Sequence, residues 1–229
     1  MEERISFESR GFRLFGNLHL PHPGAPCVIF AHGLESSKDG RKWRSFAPRF
    51  AERGFGYLRF NFRGCGEGEE RSEGELIRSD LSARSEDLLA ALDYVSSRGA
   101  GEIGILGSSF GGMAALVAAS GDPRPKALVL LATPLKLRGL RVPPSFVQDV
   151  ESRDLPALAS KISIPALVIH GEEDELVPVE DARILYERLS GPKELRIIPG
   201  ADHVFSDPSH LEEVLSLSLS WFERFLSSH

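Results

Sequence analysis

Residues 103–113 read Ile-Gly-Ile-Leu-Gly-Ser-Ser-Phe-Gly-Gly-Met, and this is the most informative stretch of the 229-residue chain. The apolar run from Ile103 to Leu106 predicts a buried strand, and the small residues from Met113 to Ala119 predict a helix. Glycines two positions either side of Ser109 permit a tight strand-to-helix turn, because a β-carbon there would collide with neighbouring elements. Such a turn exposes the Ser109 hydroxyl at the positive end of a helix, where a developing anion is favoured.

Segments of strand length alternate with segments of helical spacing along the rest of the chain. The strand-like segments are Arg4 to Glu8, Phe12 to Leu20, Cys27 to Ala31, Tyr57 to Phe62, Ile103 to Leu106, Ala127 to Leu131, Ala166 to Ile169 and Leu195 to Ile198. The helical segments are Trp43 to Arg53, Leu81 to Val95, Met113 to Ala119, Val179 to Leu189 and Leu211 to Leu226. Alternation of this kind predicts an α/β fold with a mainly parallel eight-stranded sheet and helices on both faces. The first two segments flank an Arg10-Gly11 turn and predict an antiparallel hairpin at the start of this sheet.

One interval is longer than a simple crossover between parallel strands. It runs from Thr133 to Pro165 and is rich in proline, which predicts a small cap at residues 134–160 within a single domain, residues 1–229. Apolar residues in the cap, above all Leu140 and Phe146, are candidates for lining a substrate site. The alternative is that these side chains only cover the sheet.

A serine hydroxyl needs a base, and the base needs an acid that orients it. Among seven histidines, His203 lies in the loop after the last strand, which emerges at the same carboxyl edge of a parallel sheet as Ser109. His170 ends a strand and is expected to pack against Gly171. The acidic run from Glu172 to Glu175 follows the preceding strand, and spacing alone leaves the choice among its four carboxylates open.

A developing oxyanion needs two backbone N–H donors. The residue after the nucleophile, Phe110, is one candidate. The other is Leu34, in the turn His32-Gly33-Leu34 that follows the strand ending at Ala31. We expect His32 to shape this turn rather than to take part in chemistry.

Composition excludes several classes of function. A net charge of −6, with basic residues scattered among acidic ones, argues against nucleic acid as a partner. Two cysteines, Cys27 and Cys65, are too few for a disulfide scaffold or a cysteine-built zinc site, and we expect neither a metal nor an organic cofactor.

The first residues lack the pattern of a secretion signal, and no apolar run approaches the roughly 20 residues of a membrane span. We therefore expect a cytoplasmic location and no membrane partner. Phe and Leu residues along the last helix suit an interface as well as a core, so the sequence leaves open whether the protein forms a homo-oligomer.

Taken together, the motifs resemble the α/β-hydrolase family over nearly the whole chain. The likeness rests on a set of turns in the family's order: His32-Gly33, Arg63-Gly64-x-Gly66, Gly107-x-Ser109-x-Gly111, Gly171-x-x-Asp174-x-x-Val177-Pro178 and Gly200-Ala201-Asp202-His203. The resemblance implies a catalytic triad of Ser109, His203 and Asp174. Within the family the chain is similar to small esterases with a reduced cap, including feruloyl-esterase-like and serine-aminopeptidase-like members, and differs from their pattern at Asn61 and Cys65. Dienelactone hydrolases share the fold but carry a cysteine nucleophile, which Ser109 replaces here.

The sequence therefore predicts a serine hydrolase that cleaves small to medium carboxylic esters through an acyl-enzyme intermediate. A thioesterase or a peptidase with the same triad is an alternative. Cofactor-free perhydrolysis is another. A non-catalytic binding module of the same fold is the alternative from a different class, which the presence of all three triad residues disfavours.

Overall fold

The computed structural model describes residues 1–139 and 142–226. Eight strands form one sheet. They are β1 (Glu3–Ser9), β2 (Phe12–His19), β3 (Cys27–Ala31), β4 (Gly56–Phe60), β5 (Ile103–Ser108), β6 (Pro125–Leu131), β7 (Ala166–Gly171) and β8 (Lys193–Ile198). Their order across the sheet is β1-β2-β4-β3-β5-β6-β7-β8. The pairs β1–β2 and β2–β4 are antiparallel and all other pairs are parallel, which confirms the predicted fold and its N-terminal hairpin.

Helices cover both faces of the sheet. They are α1 (Arg41–Glu52), α2 (Leu81–Ser97), α3 (Phe110–Gly121), α4 (Pro144–Glu151), α5 (Leu155–Ala159), α6 (Val179–Arg188) and α7 (Pro208–Leu226), with short 3₁₀ turns at Gly68–Glu70 and Leu76–Arg78. Helices α1 and α7 pack on one face, and α2, α3 and α6 pack on the other. This arrangement explains why strands β3, β4, β5 and β7 are buried at every position rather than at every second one.

Strand β3 shows how one short segment serves two cores. Cys27, Ile29 and Ala31 point into the cluster beneath α2 and α3, while Val28 and Phe30 point into the cluster beneath α1 and α7. All five residues are buried. Because successive side chains of a strand point to opposite faces, a five-residue apolar run can join both clusters.

All eight strands and five helices predicted from the sequence are present, but their bounds differ by up to three residues, and helices α4 and α5 were not predicted. Strand β4 ends at Phe60 instead of Phe62, and α3 begins at Phe110 instead of Met113. The early start of α3 follows from the turn geometry, since Ser109 is itself the residue that caps the helix. The glycines at 111 and 112 are poor helix formers, which is why propensity alone missed the first turn.

The predicted cap region, residues 134–160, contains α4 and α5. Helix α5 packs on α3, and α4 is tied to α2 by Asp149, which accepts hydrogen bonds from the Ser82 N–H and Oγ, both at 2.6 Å. Leu135 and Arg138 are held by the buried Asp181 of α6, which accepts from the Leu135 N–H at 2.9 Å and from Arg138 at 2.8 Å. That this segment serves as a cap stays a prediction.

Candidate active site

The turn between β5 and α3 holds its central serine in an unusual backbone conformation. Ser109 has φ 53° and ψ −122°, a region that residues with a side chain rarely adopt. Strain of this kind persists only where the surroundings impose it, and it is common at functional sites.

Close backbone contacts impose this conformation. A β-carbon on Gly107 would lie 2.7 Å from the carbonyl oxygen of Gly111, and one on Gly111 would lie 2.2 Å from the carbonyl oxygen of Ala31. No rotation of a side chain can relieve contacts between a β-carbon and backbone. The two glycines therefore let α3 pack directly against the end of β3, with Ser109 at the outermost point of the turn.

Three side chains that are remote in sequence meet at this carboxyl edge of the sheet. His203 Nε2 lies 3.0 Å from the Oγ of Ser109, and His203 Nδ1 lies 2.8 Å from Oδ2 of Asp174. With Nδ1 donating to the carboxylate, Nε2 is free to accept the hydroxyl proton. The structure thus brings together all three residues predicted to form the triad.

Asp174 is held by four hydrogen bonds. Its Oδ1 accepts from the N–H groups of Leu176 and Val177 at 2.9 and 2.8 Å, and its Oδ2 accepts from His203 and from His170 Nε2 at 3.2 Å. Burial opposes ionisation of this carboxyl, but the hydrogen bonds from His170, His203 and Val177 outweigh it and hold the Asp174 pKa well below its usual range. The carboxylate is therefore charged and fixed in direction, as a group that orients a histidine must be.

His170 is a neighbour of the triad that the sequence reasoning passed over. Its buried ring also lies 2.9 Å from the carbonyl oxygen of Val177. The one available signal was its position at the end of β7, directly before the acidic turn. Packing against the turn was expected, but contact with the acid was not.

Backbone contacts join the acidic turn to the histidine loop. The N–H of Glu172 donates to the Ile198 carbonyl and that of Glu173 donates to the Ala201 carbonyl, both at 3.0 Å. A β-carbon on Gly171 would lie 2.2 Å from the Ala201 oxygen, so the two loops run in direct contact. This contact selects Asp174 among the four acids, because it aims only that side chain at His203.

The two predicted oxyanion donors flank the serine. Phe110 is the first residue of α3, and Leu34 follows Gly33, whose β-carbon position would lie 3.4 Å from Cβ of Ser109. In the part of the chain that the structure describes, neither the Leu34 N–H nor the Phe110 N–H donates to a protein acceptor. Both are therefore available to an oxygen atom bound beside Ser109.

Arg84, a buried residue of α2, supports the turn that carries Leu34. Its guanidinium donates to the carbonyl oxygens of His32, Gly33 and Leu34 at 3.4, 3.0 and 3.3 Å, and to Cys65 Sγ at 3.5 Å. It also lies over the ring of Phe110, 5.1 Å from the centroid. One side chain thus contacts both segments that carry the predicted oxyanion donors, and nothing in the local sequence around Arg84 indicated this.

His32 is structural, as expected from its turn. Its Nδ1 donates to the Gly33 carbonyl at 2.8 Å and its Nε2 accepts from the N–H of Phe62 at 3.3 Å. Burial, together with the positive charge of Arg84, lowers the pKa of His32 to about 3. The ring is therefore neutral at physiological pH.

A cavity of about 420 Å³ opens beside Ser109 and His203. Most of its wall is apolar and includes Leu34, Trp43, Leu137, Val142, Leu176 and Phe205. The prediction that Phe146 lines this site is wrong, since Phe146 is buried in the core and its ring stacks on Phe110 at 5.9 Å between centroids. Helix α4 turns that side chain inward, behind the wall. Leu140 lies outside the described residues.

Two further observations concern ions and membranes. Within residues 1–139 and 142–226, no three His, Cys, Asp or Glu side chains form a group that would hold a metal ion. Over the same residues, every helix is too short or too polar to cross a membrane.

Comparison with known proteins agrees with this geometry. The model of the α/β hydrolase fold family matches residues 26–154, more than half of the chain. The chain belongs to the α/β-hydrolase family. The model described as "Serine aminopeptidase, S33" matches residues 151–207, the part of this α/β-hydrolase that holds Asp174 and His203.

Individual α/β-hydrolase relatives are distant. A Mycobacterium tuberculosis (strain ATCC 25618 / H37Rv) protein named "Putative phosphoribosyl transferase Rv0571c" is 31% identical over 222 residues, which is 96% of this chain. The chain spans 46% of that protein, about half its length. Est1E from Butyrivibrio proteoclasticus, solved with ferulic acid bound, superposes with a TM-score of 0.86 at 22% identity, covering 98% of this chain and 100% of Est1E. The esterase domain of a Rhodothermus marinus protein gives 0.79 at 24% identity, covering 99% and 100%. These two structures share the fold.

Proposed function

We propose that this α/β-hydrolase is a serine hydrolase that cleaves small to medium carboxylic esters through an acyl-enzyme intermediate. The observation that carries the proposal is the contact of 3.0 Å between Ser109 Oγ and His203 Nε2, with the imidazole oriented from its other side by Asp174. A nucleophile, a base and an orienting acid in this geometry are the parts that acyl transfer requires.

The reaction would proceed in two steps. Ser109 attacks the ester carbonyl while His203 takes its proton, and the negative charge on oxygen is stabilised by the N–H groups of Leu34 and Phe110. His203 then donates the proton to the leaving alcohol. In the second step His203 activates water, which attacks the acyl-enzyme and releases the acid and the free serine.

The cavity supports a substrate of limited size. Its volume of about 420 Å³ and its apolar wall suit a small or medium ester better than a long acyl chain. The similarity in fold to the Rhodothermus marinus esterase domain is in line with ester chemistry. Thioesters and amides use the same machinery and belong in the same substrate screen.

Replacement of Ser109 by Ala tests the proposal. We expect turnover of p-nitrophenyl acetate to fall at least about 10³-fold, since the nucleophile is lost while folding is kept. Ser45→Ala is the matched control and keeps wild-type turnover, because Ser45 is an exposed residue of α1 whose hydroxyl donates, within the described part of the chain, only to a backbone carbonyl. Near-wild-type activity of Ser109→Ala would reject the mechanism.

A fluorophosphonate probe separates this proposal from a binding module of the same fold. An activated serine forms a covalent adduct with such a probe, and peptide mass spectrometry would locate the adduct on Ser109. Absence of an adduct on folded protein would favour the binding module.

A further inference from the structure

The wall of the active-site cavity carries an excess of positive charge. Among the described residues that line it, Arg41, Lys42, Lys136 and Arg138 are cationic and Glu35 is the one carboxylate. The chain as a whole has a net charge of −6, so this local excess runs against the average of the molecule. A charge of one sign concentrated at a cleft raises the local concentration of ligands of the opposite sign.

One of these cations forms an ion pair and a second is held by a backbone carbonyl, while Lys136 is exposed. Arg138 pairs with Asp181 at 2.8 Å, and Arg41 donates to the Ser206 carbonyl at 2.9 Å. Lys42 differs, because its ammonium donates to the Ser108 hydroxyl at 2.9 Å and forms no ion pair with a carboxylate in the described part of the chain. Asp202 favours the Lys42 charge from a distance, but its oxygens accept hydrogen bonds from Ser206.

The position of Lys42 is unfavourable for a cation. It lies in the first turn of α1, where the helix dipole disfavours positive charge, and this turn has no acidic residue and no side-chain cap. Burial lowers the pKa of Lys42 to about 8. The rings of Phe205 and Trp43, at 5.2 and 5.7 Å from the ammonium, compensate only in part. A cation in a position that disfavours positive charge is expected where function requires that charge.

We propose that the cavity takes esters that carry a free carboxylate a few atoms from the scissile carbonyl, as a monoester of a short dicarboxylic acid does. This inference rests on the proposed ester hydrolysis. Lys42 would bind the carboxylate, with Arg41 beside it at the start of α1. The carboxylate lies only a few atoms from the scissile carbonyl because Lys42 contacts Ser108, the residue next to the nucleophile. A single carboxylate suits one ammonium in a cavity whose wall is otherwise mostly apolar.

Two pairs of substrates test the preference, because the carboxylate can lie on either side of the ester bond. Monomethyl glutarate is compared with dimethyl glutarate, and 4-acetoxybutanoate with its methyl ester. We expect kcat/KM of the wild type to be at least about tenfold higher for the anionic member of one pair, the usual value of one charge-assisted contact. Equal rates within both pairs would overturn the inference and leave ester hydrolysis standing. Turnover of p-nitrophenyl acetate but of none of the four would overturn the inference alone, and turnover of neither would overturn ester hydrolysis as well.

Lys42→Met tests the assigned residue with a side chain of similar shape. We expect it to remove the preference, so that the ratio of kcat/KM between the anionic and the neutral substrate falls to near one. Lys42→Arg keeps the charge and retains most of the preference. Arg44→Met, on the same helix but outside the cavity, is the matched control and leaves both rates unchanged. An unaltered preference in Lys42→Met would overturn the role of Lys42.

A binding measurement gives a readout that needs no catalysis. In the Ser109→Ala variant, millimolar glutarate should raise the Tm, because the dianion binds the folded cavity. The same addition to the Ser109→Ala, Lys42→Met double variant should give a shift less than half as large. Equal shifts in the two variants would contradict binding at Lys42.

Discussion

At the scale of single residues, Arg84 is a side chain that holds the turn of the proposed oxyanion site. It is fully buried and donates to three consecutive carbonyl groups, from His32 to Leu34. When the carbonyl oxygens of a turn accept hydrogen bonds on one side, the N–H groups of that turn stay free to donate on the opposite side. We therefore expect Arg84 to act through Leu34 and Phe110, as a positioning residue.

We expect Arg84→Met to lower kcat for a neutral ester about 10- to 100-fold, while KM changes less than about threefold. The reason is that a displaced oxyanion donor weakens binding of the transition state more than that of the substrate. Arg84→Lys should restore part of kcat, because an ammonium can engage some of the carbonyls.

Steady-state kinetics on variants whose folding is verified by circular dichroism would check this. Arg78→Met is the control, since the Arg78 side chain is exposed and, among the described residues, pairs only with Glu75. A rise in KM with kcat unchanged in Arg84→Met would contradict the positioning role.

At the scale of elements, the contact between α3 and the end of β3 fixes the position of Ser109 relative to the carboxyl edge of the sheet. Gly111 makes this contact possible, because its α-carbon faces the carbonyl oxygens of Ala31 and His32. We expect Gly111→Ala to lower the free energy of unfolding by about 3 kcal/mol, because a β-carbon 2.2 Å from backbone oxygen forces the helix away from the strand.

Gly121→Ala is the control within the same helix. Nothing lies within 4 Å of its β-carbon position, so we expect no loss and a gain of up to about 1 kcal/mol from helix propensity. Urea unfolding followed by circular dichroism would measure both. Similar stability of the two variants would show that α3 can shift without cost.

At the scale of the whole molecule, ion pairs near the N-terminal hairpin link stability to pH. Glu2 accepts from Arg59 Nη2 and Nε at 2.7 and 2.9 Å and from the Tyr57 hydroxyl at 2.8 Å. Burial opposes its ionisation, but these hydrogen bonds prevail and lower the pKa of Glu2 in the folded state. The pKa of Asp39 is lowered for the same reasons, by Lys38 and Arg59, and that of Asp174 by its histidines.

Because these carboxyl groups have a lower pKa in the folded state, the unfolded chain takes up protons first on acidification. Their contribution is complete above the unfolded value of about 4 and is lost as pH falls toward the folded value. We therefore expect the free energy of unfolding to decline steadily between pH 5 and about pH 2.

Glu2→Gln isolates one group of this set. It should cost about 1–2 kcal/mol at pH 7, and the difference from wild type should disappear near pH 2. Glu69→Gln, an exposed position, is the control. Urea titrations across pH would measure the effect, and a difference that stays constant with pH would refute the linkage.

The sequence by itself determined the alternation of strands and helices, the strand-to-helix turn at Ser109 and the loops that carry the acid and the base. These features depend on periodicity and on glycine spacing, which a few adjacent residues encode. Cavity walls were predicted less well, since the inward direction of Phe146 depends on how α4 packs.

Only the tertiary structure decided which atoms meet. Spacing left four acids open, and the family resemblance pointed to Asp174; the contact between the β7 and β8 loops aims Asp174 at His203 and adds His170. The contacts of Arg84 with the turn that carries Leu34, and of Lys42 with Ser108, were likewise visible only in the tertiary structure. The contacts of Asp174 with His203, of Arg84 with Gly33 and of Lys42 with Ser108 join residues 29, 51 and 66 positions apart, and that of Ser109 with His203 joins residues 94 apart. Their distances depend on strand register and helix packing throughout the sheet, which no local pattern contains.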